Sequence, residues 1–382
     1  IEAGIGNTVQ SGTLGTGATT YQSVVVTRTI AATATSVICR VRVTNLGTET
    51  VTPYFLGDDA HIYKTDQIPR AFIEYKDNLY LAVGQIVYQW NETDDRFDTV
   101  LTTADTVRGL GIASGSAASE LCAGEGDTAY YTTTNGTTWT VRAGGSAGPY
   151  VTVRDLIWGR GGTANVRSSG DVVTPTWTQF NVGTTARDIT GLFAAGDTIV
   201  VGREDGIWMY NRVANDFGAA NEFWNVTPEF MSQPHPDNFA SGIEWMGWLY
   251  LASRHGMMRY NRYSGALQDM SHYVSGPQLA DFGGRIRAFA IDSYRAYALM
   301  DTPTADTSTT KTTWLLAFRE IQDSSGTRFV VHTTHKLTLG DIRIATVFYN
   351  ATDSHLYIAG RRAHLAGDST YSPFVYRIKV PE

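Results

Sequence analysis

Six arginines recur at the same place in a repeated pattern, and chemistry would be sought there first. Arg70, Arg108, Arg154, Arg187, Arg287 and Arg343 each follow an apolar or small residue and open a short stretch that a turn separates from a second apolar stretch. A guanidinium is planar, always charged and carries five N–H donors in a fixed fork. Several of them in one water-poor funnel would focus a sulfate, a carboxylate or a polyanion. The same residue type can instead tie each repeat to the next through a carboxylate or a loop carbonyl, and Asp155 and Asp188 directly follow two of the six. An arginine that returns once per repeat most simply serves the repeat. Both uses stay open at this level.

Other residue types that could do chemistry are present but not ordered into a motif. His332 and His335 are three apart, a spacing that could suit a metal on a helix but sends the rings to opposite faces of a strand. His61, His235, His255, His272, His355 and His364 form no ligand spacing. No Gly-rich loop follows a strand and opens a helix, and no serine sits in a nucleophile elbow. Cys39 and Cys122 allow one bridge at most. The sequence therefore predicts no cofactor, no metal and no enzymatic activity.

Charge narrows the partners. The chain has 30 basic and 37 acidic residues, a net charge of -7, which is a poor footprint for wrapping nucleic acid or adhering to anionic lipid. Lys occurs only at positions 64, 76, 311, 336 and 379, so nearly all positive charge is guanidinium. No apolar run is long enough to span a membrane. The chain opens with Ile1, and its first stretch lacks the basic and apolar regions of a signal peptide.

The elements that must position the arginines are strands. Apolar runs of five to eight residues recur, as in Leu79–Val83, Thr198–Gly202, Trp248–Ala252 and Leu356–Ala359, with Gly-rich turns between them. Helical periodicity is almost absent, so the chain reads as all-β. The arginine signature, with an arginine-free copy at Ser241–Trp245, gives seven units spaced roughly 33 to 56 residues apart, the mark of a β-propeller. A unit this small cannot hide both sheet faces alone, and seven arranged radially cover one another. Third strands are expected at Val87–Trp90, Ile207–Tyr210, Met257–Tyr260, Trp314–Arg319 and Phe374–Ile378. The six arginines should then stand at the starts of the innermost strands, around one mouth of the central channel.

The expected organisation is an arm over residues 1–62 followed by a seven-bladed propeller over 63–382. The last unit has room for only three strands, so Ser23–Ile30 or Ser36–Thr44 of the arm is a candidate closing strand. Thr302–Thr313 reads as a polar loop, and the Pro-rich Trp224–Phe239 as an irregular connection between blades. Trp208, Trp224, Trp245, Trp248 and Tyr260 could line a sugar groove, but their strand positions favour inter-blade core.

Two resemblances follow from particular residues. Thr132–Trp139 is similar to the Asp-box hairpin of sialidase-like propellers: Gly136, Thr138 and Trp139 match, Thr132 stands for Ser and Thr134 for the Asp. That motif is a structural turn, and no motif orders the arginines, tyrosine and acids that glycoside hydrolysis would need. The stretches Gly206–Asn211, Asn225–Phe230, Gln233–Phe239, Trp248–Leu251 and His255–Tyr260, with the closing Val375–Pro381, resemble propeller proteins encoded among the structural genes of tailed bacteriophages. This second resemblance implies a non-enzymatic virion component on the tail or capsid, used for assembly or host attachment. Its implied partners are other virion structural proteins and a host surface glycan or receptor, with no nucleic acid and no membrane insertion. The alternative function is a secreted sialidase-like glycan-binding protein or glycoside hydrolase.

Overall fold

The computed structural model describes residues 68–382 except for 115–118, 126–128, 220–233, 254–255, 262–266, 271–284, 293, 302–312, 324–325, 338–340, 350–352, 364–370 and 381–382. The chain divides into compact units at 1–67 and 68–382, so the arm, its two candidate closing strands and Cys39 lie outside the described residues.

Residues 68–382 form seven antiparallel meander sheets, and the protein is a seven-bladed β-propeller with no helix among the described residues. Blade 1 runs through Pro69–Tyr75, Asn78–Val83, Ile86–Asn91 and Arg96–Thr102, and blade 2 through Val107–Ser114, Ser119–Glu125, Ala129–Thr133 and Thr140–Ala143. Blade 3 holds Ala147–Val153, Leu156–Arg160, Asn165–Ser169 and Thr178–Asn181, and blade 4 Ile189–Ala195, Thr198–Arg203, Gly206–Asn211 and Asp216–Ala219. Blade 5 is Gly242–Trp245, Trp248–Ser253, Gly256–Tyr260 and Leu267–Asp269. Blade 6 is Arg285–Ile291, Ala296–Asp301, Thr313–Asp323 and Gly326–Leu337. Blade 7 has three strands, Asp341–Tyr349, Ser354–Ala363 and Tyr371–Lys379.

The first strand of each blade contacts the first strands of both neighbours, and blade 1 meets blade 7 to complete the circle. Second strands are solidly apolar because both of their faces are covered: Asn78–Val83 and Thr198–Arg203 are buried at every position after the first. An apolar cluster fills each interface. Trp245, Tyr250 and Phe318 pack between blades 5 and 6, and Leu79, Phe348 and Tyr357 between blades 7 and 1. Tyr260 lies in the cluster between blades 4 and 5, while Trp208 and Trp248 pack against their interfaces, so these aromatics serve the core. Burying one such side chain contributes on the order of 2–3 kcal/mol, and the ring draws this from both sides of every blade.

Several local readings of the sequence need correction or refinement. Blade 3 begins at Ala147, one strand earlier than the arginine signature suggests. In the Thr132–Trp139 hairpin, Asn135 rather than Thr134 caps the turn, its Oδ1 accepting the Thr137 and Thr138 amides at 3.0 and 2.8 Å. Gly136 is required there: its φ is +81°, and a Cβ would collide with the Tyr80 hydroxyl. Cys122 is a buried free thiol, and burial pushes its pKa up, away from reactivity.

Candidate functional site

Most first strands share an irregularity at their starts. In blades 1, 2, 3, 4, 6 and 7 the pairing of first and second strands slips near its beginning. The extra residues are Arg70, Arg108, Gly148-Pro149, Thr190, Arg287 and Arg343, in that order. A bulge turns its extra residue out of the strand's alternation. In blades 1 to 4 the extra residues Arg70, Arg108, Gly148, Pro149 and Thr190 all line one cavity.

Four of the six sequence-predicted arginines therefore occupy one equivalent position. The other two do not. Arg154 sits in the two-residue turn after the first strand of blade 3, at the far end of that strand from the mouth. Its φ of 49°, with 61° at Asp155, marks a hairpin turn of type I′, and its guanidinium pairs with Asp197. Arg187 lies in the connection two residues ahead of the blade 4 strand, 3.8 Å from Glu204, and Thr190 holds the bulge. In both cases the local pattern of apolar residue, Arg, any residue, apolar residue also fits a turn or a connection, and the register alone distinguishes them.

Side chains at the ends of the second strands complete the mouth. Across from the residue before each bulge stand Val83, Glu125, Arg160, Arg203, Met300 and Gly360, the last two followed by Asp301 and Arg361. Sequence reasoning missed these. The available signal was a charged residue ending an apolar run, as in Thr-Ile-Val-Val-Gly-Arg203.

Around blades 5 to 7 the charges are matched. Arg287 donates from Nε to Asp301 at 2.6 Å and from Nη1 to Asp237 at 3.2 Å, while Arg285 donates to Asp237 at 2.5 Å. Burial alone would lower the Arg287 pKa, but Asp301 and Asp237 outweigh it and the net shift is upward. Asp341 accepts from Arg343 at 2.5 Å and from Arg361 at 2.9 Å. Asp237 comes from the connection between blades 4 and 5, where blade 5 lacks both the bulge and the arginine. Asn238 anchors that connection by donating to the Glu204 carbonyl at 2.9 Å.

Arg203, in blade 4, is fully buried and donates to the carbonyls of Val182, Thr184 and Arg187. This is the loop-carbonyl tie foreseen for the repeat arginines, made instead by a residue of the second strand.

Around blades 1 to 4 the mouth opens into a cavity of about 420 Å³, lined by Arg70, Arg108 and Arg160 with Asp105, Thr106, Thr190, Ile189, Gly148 and Pro149. Among the described residues its lining carries three guanidiniums and one carboxylate. Arg160 is partly engaged, donating to the Gly162 carbonyl at 3.0 Å and lying 3.7 Å from Asp188. Asp105 is engaged by the Thr106 amide at 2.6 Å. Arg70 makes no ion pair among the described residues; its pKa is lowered by desolvation and then by the cations Arg343, Arg108 and Arg361. The cavity floor is a close approach of two bulges: a Cβ on Gly148 would stand 2.4 Å from the Gly109 backbone.

Other candidate chemistry is not assembled. No group of three or more His, Cys, Asp or Glu suited to a metal occurs among the described residues. His335 is exposed on the last strand of blade 6, and the His332 side chain is outside the described residues.

Comparison with known proteins gives the fold alone. No family model matches, and no curated protein matches. Among solved structures, the chain resembles one from a mitotic checkpoint complex, at 11% identity and a TM-score of 0.52, over 79% of this chain and 86% of that one. It also resembles the extracellular domain of a putative one component system from B. thetaiotaomicron, at 12% identity and a TM-score of 0.52. That match covers 81% of this chain but spans only 38% of the other. A third, the AfRom2 CNH domain, matches at 11% identity and a TM-score of 0.50, over 83% of this chain and 96% of that one.

Proposed function

We propose that the protein is a non-enzymatic structural component of a bacteriophage particle, a rigid scaffold for assembly or host attachment that presents the propeller mouth to a partner. The observation that carries this reading is the matched arginine–carboxylate set at blades 5 to 7. Arg285, Arg287, Arg343 and Arg361 fix neighbouring strands and the Asp237 connection to one another, which makes the mouth a rigid rim. Charged groups held in this way position elements; a hydrolase would instead free a carboxylate as acid or base.

The bacteriophage part of the reading rests on the residue likeness described above. Its His235-Pro-Asp-Asn238 segment is also the one that supplies Asp237 to the rim. A rigid radial frame with one charged end suits recognition, because loops and side chains at the rim can vary without disturbing the inter-blade cores.

The test is composition. Purified particles should contain this chain in a fixed ratio to capsid or tail protein, and an antibody against the propeller should label them. Turnover of a glycoside panel, lost on replacing one carboxylate, would overturn the reading, as would absence of the chain from the particles.

A further inference from the structure

We propose that the open side of the mouth is a binding site for a sulfate or phosphate ester carried on a sugar-sized group. This deepens the recognition role and rests on it for its biological setting, though not for its chemistry. The argument begins with charge. The chain as a whole is acidic, at -7, yet this cavity gathers Arg70, Arg108 and Arg160 from three successive blades around one carboxylate among the described residues. Like charges brought together in a concave site repel one another, and Arg70 bears the repulsion of Arg343, Arg108 and Arg361 in addition to desolvation.

A purely structural arginine resolves such a conflict by pairing, as Arg287 does with Asp301 and Asp237. Arg70 has the equivalent bulge position in its own blade, and Val83, the partner of its neighbour Pro69, is followed by Gly84, where blade 6 has Asp301 after Met300. Arg70 thus lines the cavity without a counter-charge from the described residues. A ligand anion would complete it.

Geometry selects the class of anion. The three guanidiniums approach from different blades, so their forks arrive from different directions. A planar carboxylate satisfies one fork well, whereas a tetrahedral oxyanion offers oxygens to several at once. At about 420 Å³ the cavity falls within the size range of small-molecule sites and exceeds what a bare sulfate fills. Thr106, Thr190 and Pro149 line the remaining space, a mixture of polar and apolar residues suited to a sugar's polar edge and apolar face.

Calorimetric titration of the full chain at constant ionic strength tests this. Sulfate and phosphate should bind at least tenfold more tightly than acetate. Glucose 6-sulfate and glucose 6-phosphate should bind at least tenfold more tightly than the free inorganic anions, and glucose alone should not bind. Arg70→Gln and Arg108→Gln should each weaken glucose 6-sulfate binding tenfold or more, and Arg70→Gln should leave the thermal midpoint of the free protein unchanged or higher. Arg287→Gln should lower the midpoint while leaving affinity within threefold.

Wild-type affinity in both Arg70→Gln and Arg108→Gln would overturn the site. Equal binding of acetate and sulfate would overturn the tetrahedral class, and esters no tighter than inorganic anions would overturn the sugar-sized occupant. A failure here leaves the particle-composition test untouched, because that test reads where the chain resides and not what its mouth binds.

Discussion

On the side of the mouth built by blades 5 to 7, Arg285, Arg287, Arg343 and Arg361 share Asp237, Asp301 and Asp341. On the side built by blades 1 to 4, Arg70, Arg108 and Arg160 line a cavity with Asp105 as the one carboxylate among the described residues. The bulge that aims an arginine at the mouth is the same in blades 1 and 6. What differs is the neighbour one step beyond the bulge: blade 6 has Asp301 there, whereas blade 1 has Gly84. In blade 2 Glu125, the partner of Val107, accepts the Asp105 amide at 2.6 Å. One backbone device therefore yields a structural tie or an open cationic site, according to where the acids fall.

Four measurements would break or sharpen that contrast. The largest effect is expected from Arg287→Ala, which strands the buried Asp301 and should cost about 3–5 kcal/mol in urea unfolding. Arg70→Gln in the same assay should change stability by no more than about 0.5 kcal/mol, as for exposed positions generally. Similar losses in the two variants would abolish the distinction between the sides.

Next, Gly148→Ala should cost about 1–3 kcal/mol, because its new methyl would meet the Gly109 backbone and push the two bulges apart. A neutral result would mean that the floor of the open side is soft. Thr190→Arg, which places a fourth bulge arginine beside the cavity, should strengthen sulfate binding about three- to tenfold, or roughly 1 kcal/mol. Unchanged affinity would show that the open side does not act through summed charge.

The smallest effect concerns pH and separates the mouth from the blade 7 edge. Burial, together with the cation Arg377, lowers the His355 pKa below its ordinary 6.5. Its contribution to stability is thus complete above about pH 6.5 and is lost as pH falls through the lower folded value, since the unfolded chain then binds the extra proton. His355→Gln should flatten the acid limb of the stability profile by a few tenths of a kcal/mol. An unchanged limb would assign acid sensitivity to the carboxylates of the paired side.

Much of the architecture is legible in the residues. The solid apolar second strands and the Gly turns that follow them recur because a blade must cover both faces of its inner strands, and that demand is met locally. The third strands expected at Val87–Trp90, Ile207–Tyr210, Met257–Tyr260, Trp314–Arg319 and Phe374–Ile378 all fall within observed strands. Blade 3 misled because Gly148 and Pro149 open its first strand with the residues least suited to a strand, so the signature was read at Arg154 instead. Arg70, Arg108, Arg287 and Arg343 were found by their repeated position, while Arg160, Arg203 and Arg361 were overlooked because the ends of second strands follow no shared residue type.

By itself the sequence determined the all-β class, the number of blades and the apolar faces that press them together. These depend on alternation and turn chemistry within about ten residues, and such short-range patterns survive without knowledge of the whole. Only the tertiary structure decided which arginines are neutralised. Asp237 reaches Arg285 and Arg287 across separations of 48 and 50 residues. Coulombic pairing depends on distance in space, and that distance is set when blades far apart in sequence pack side by side.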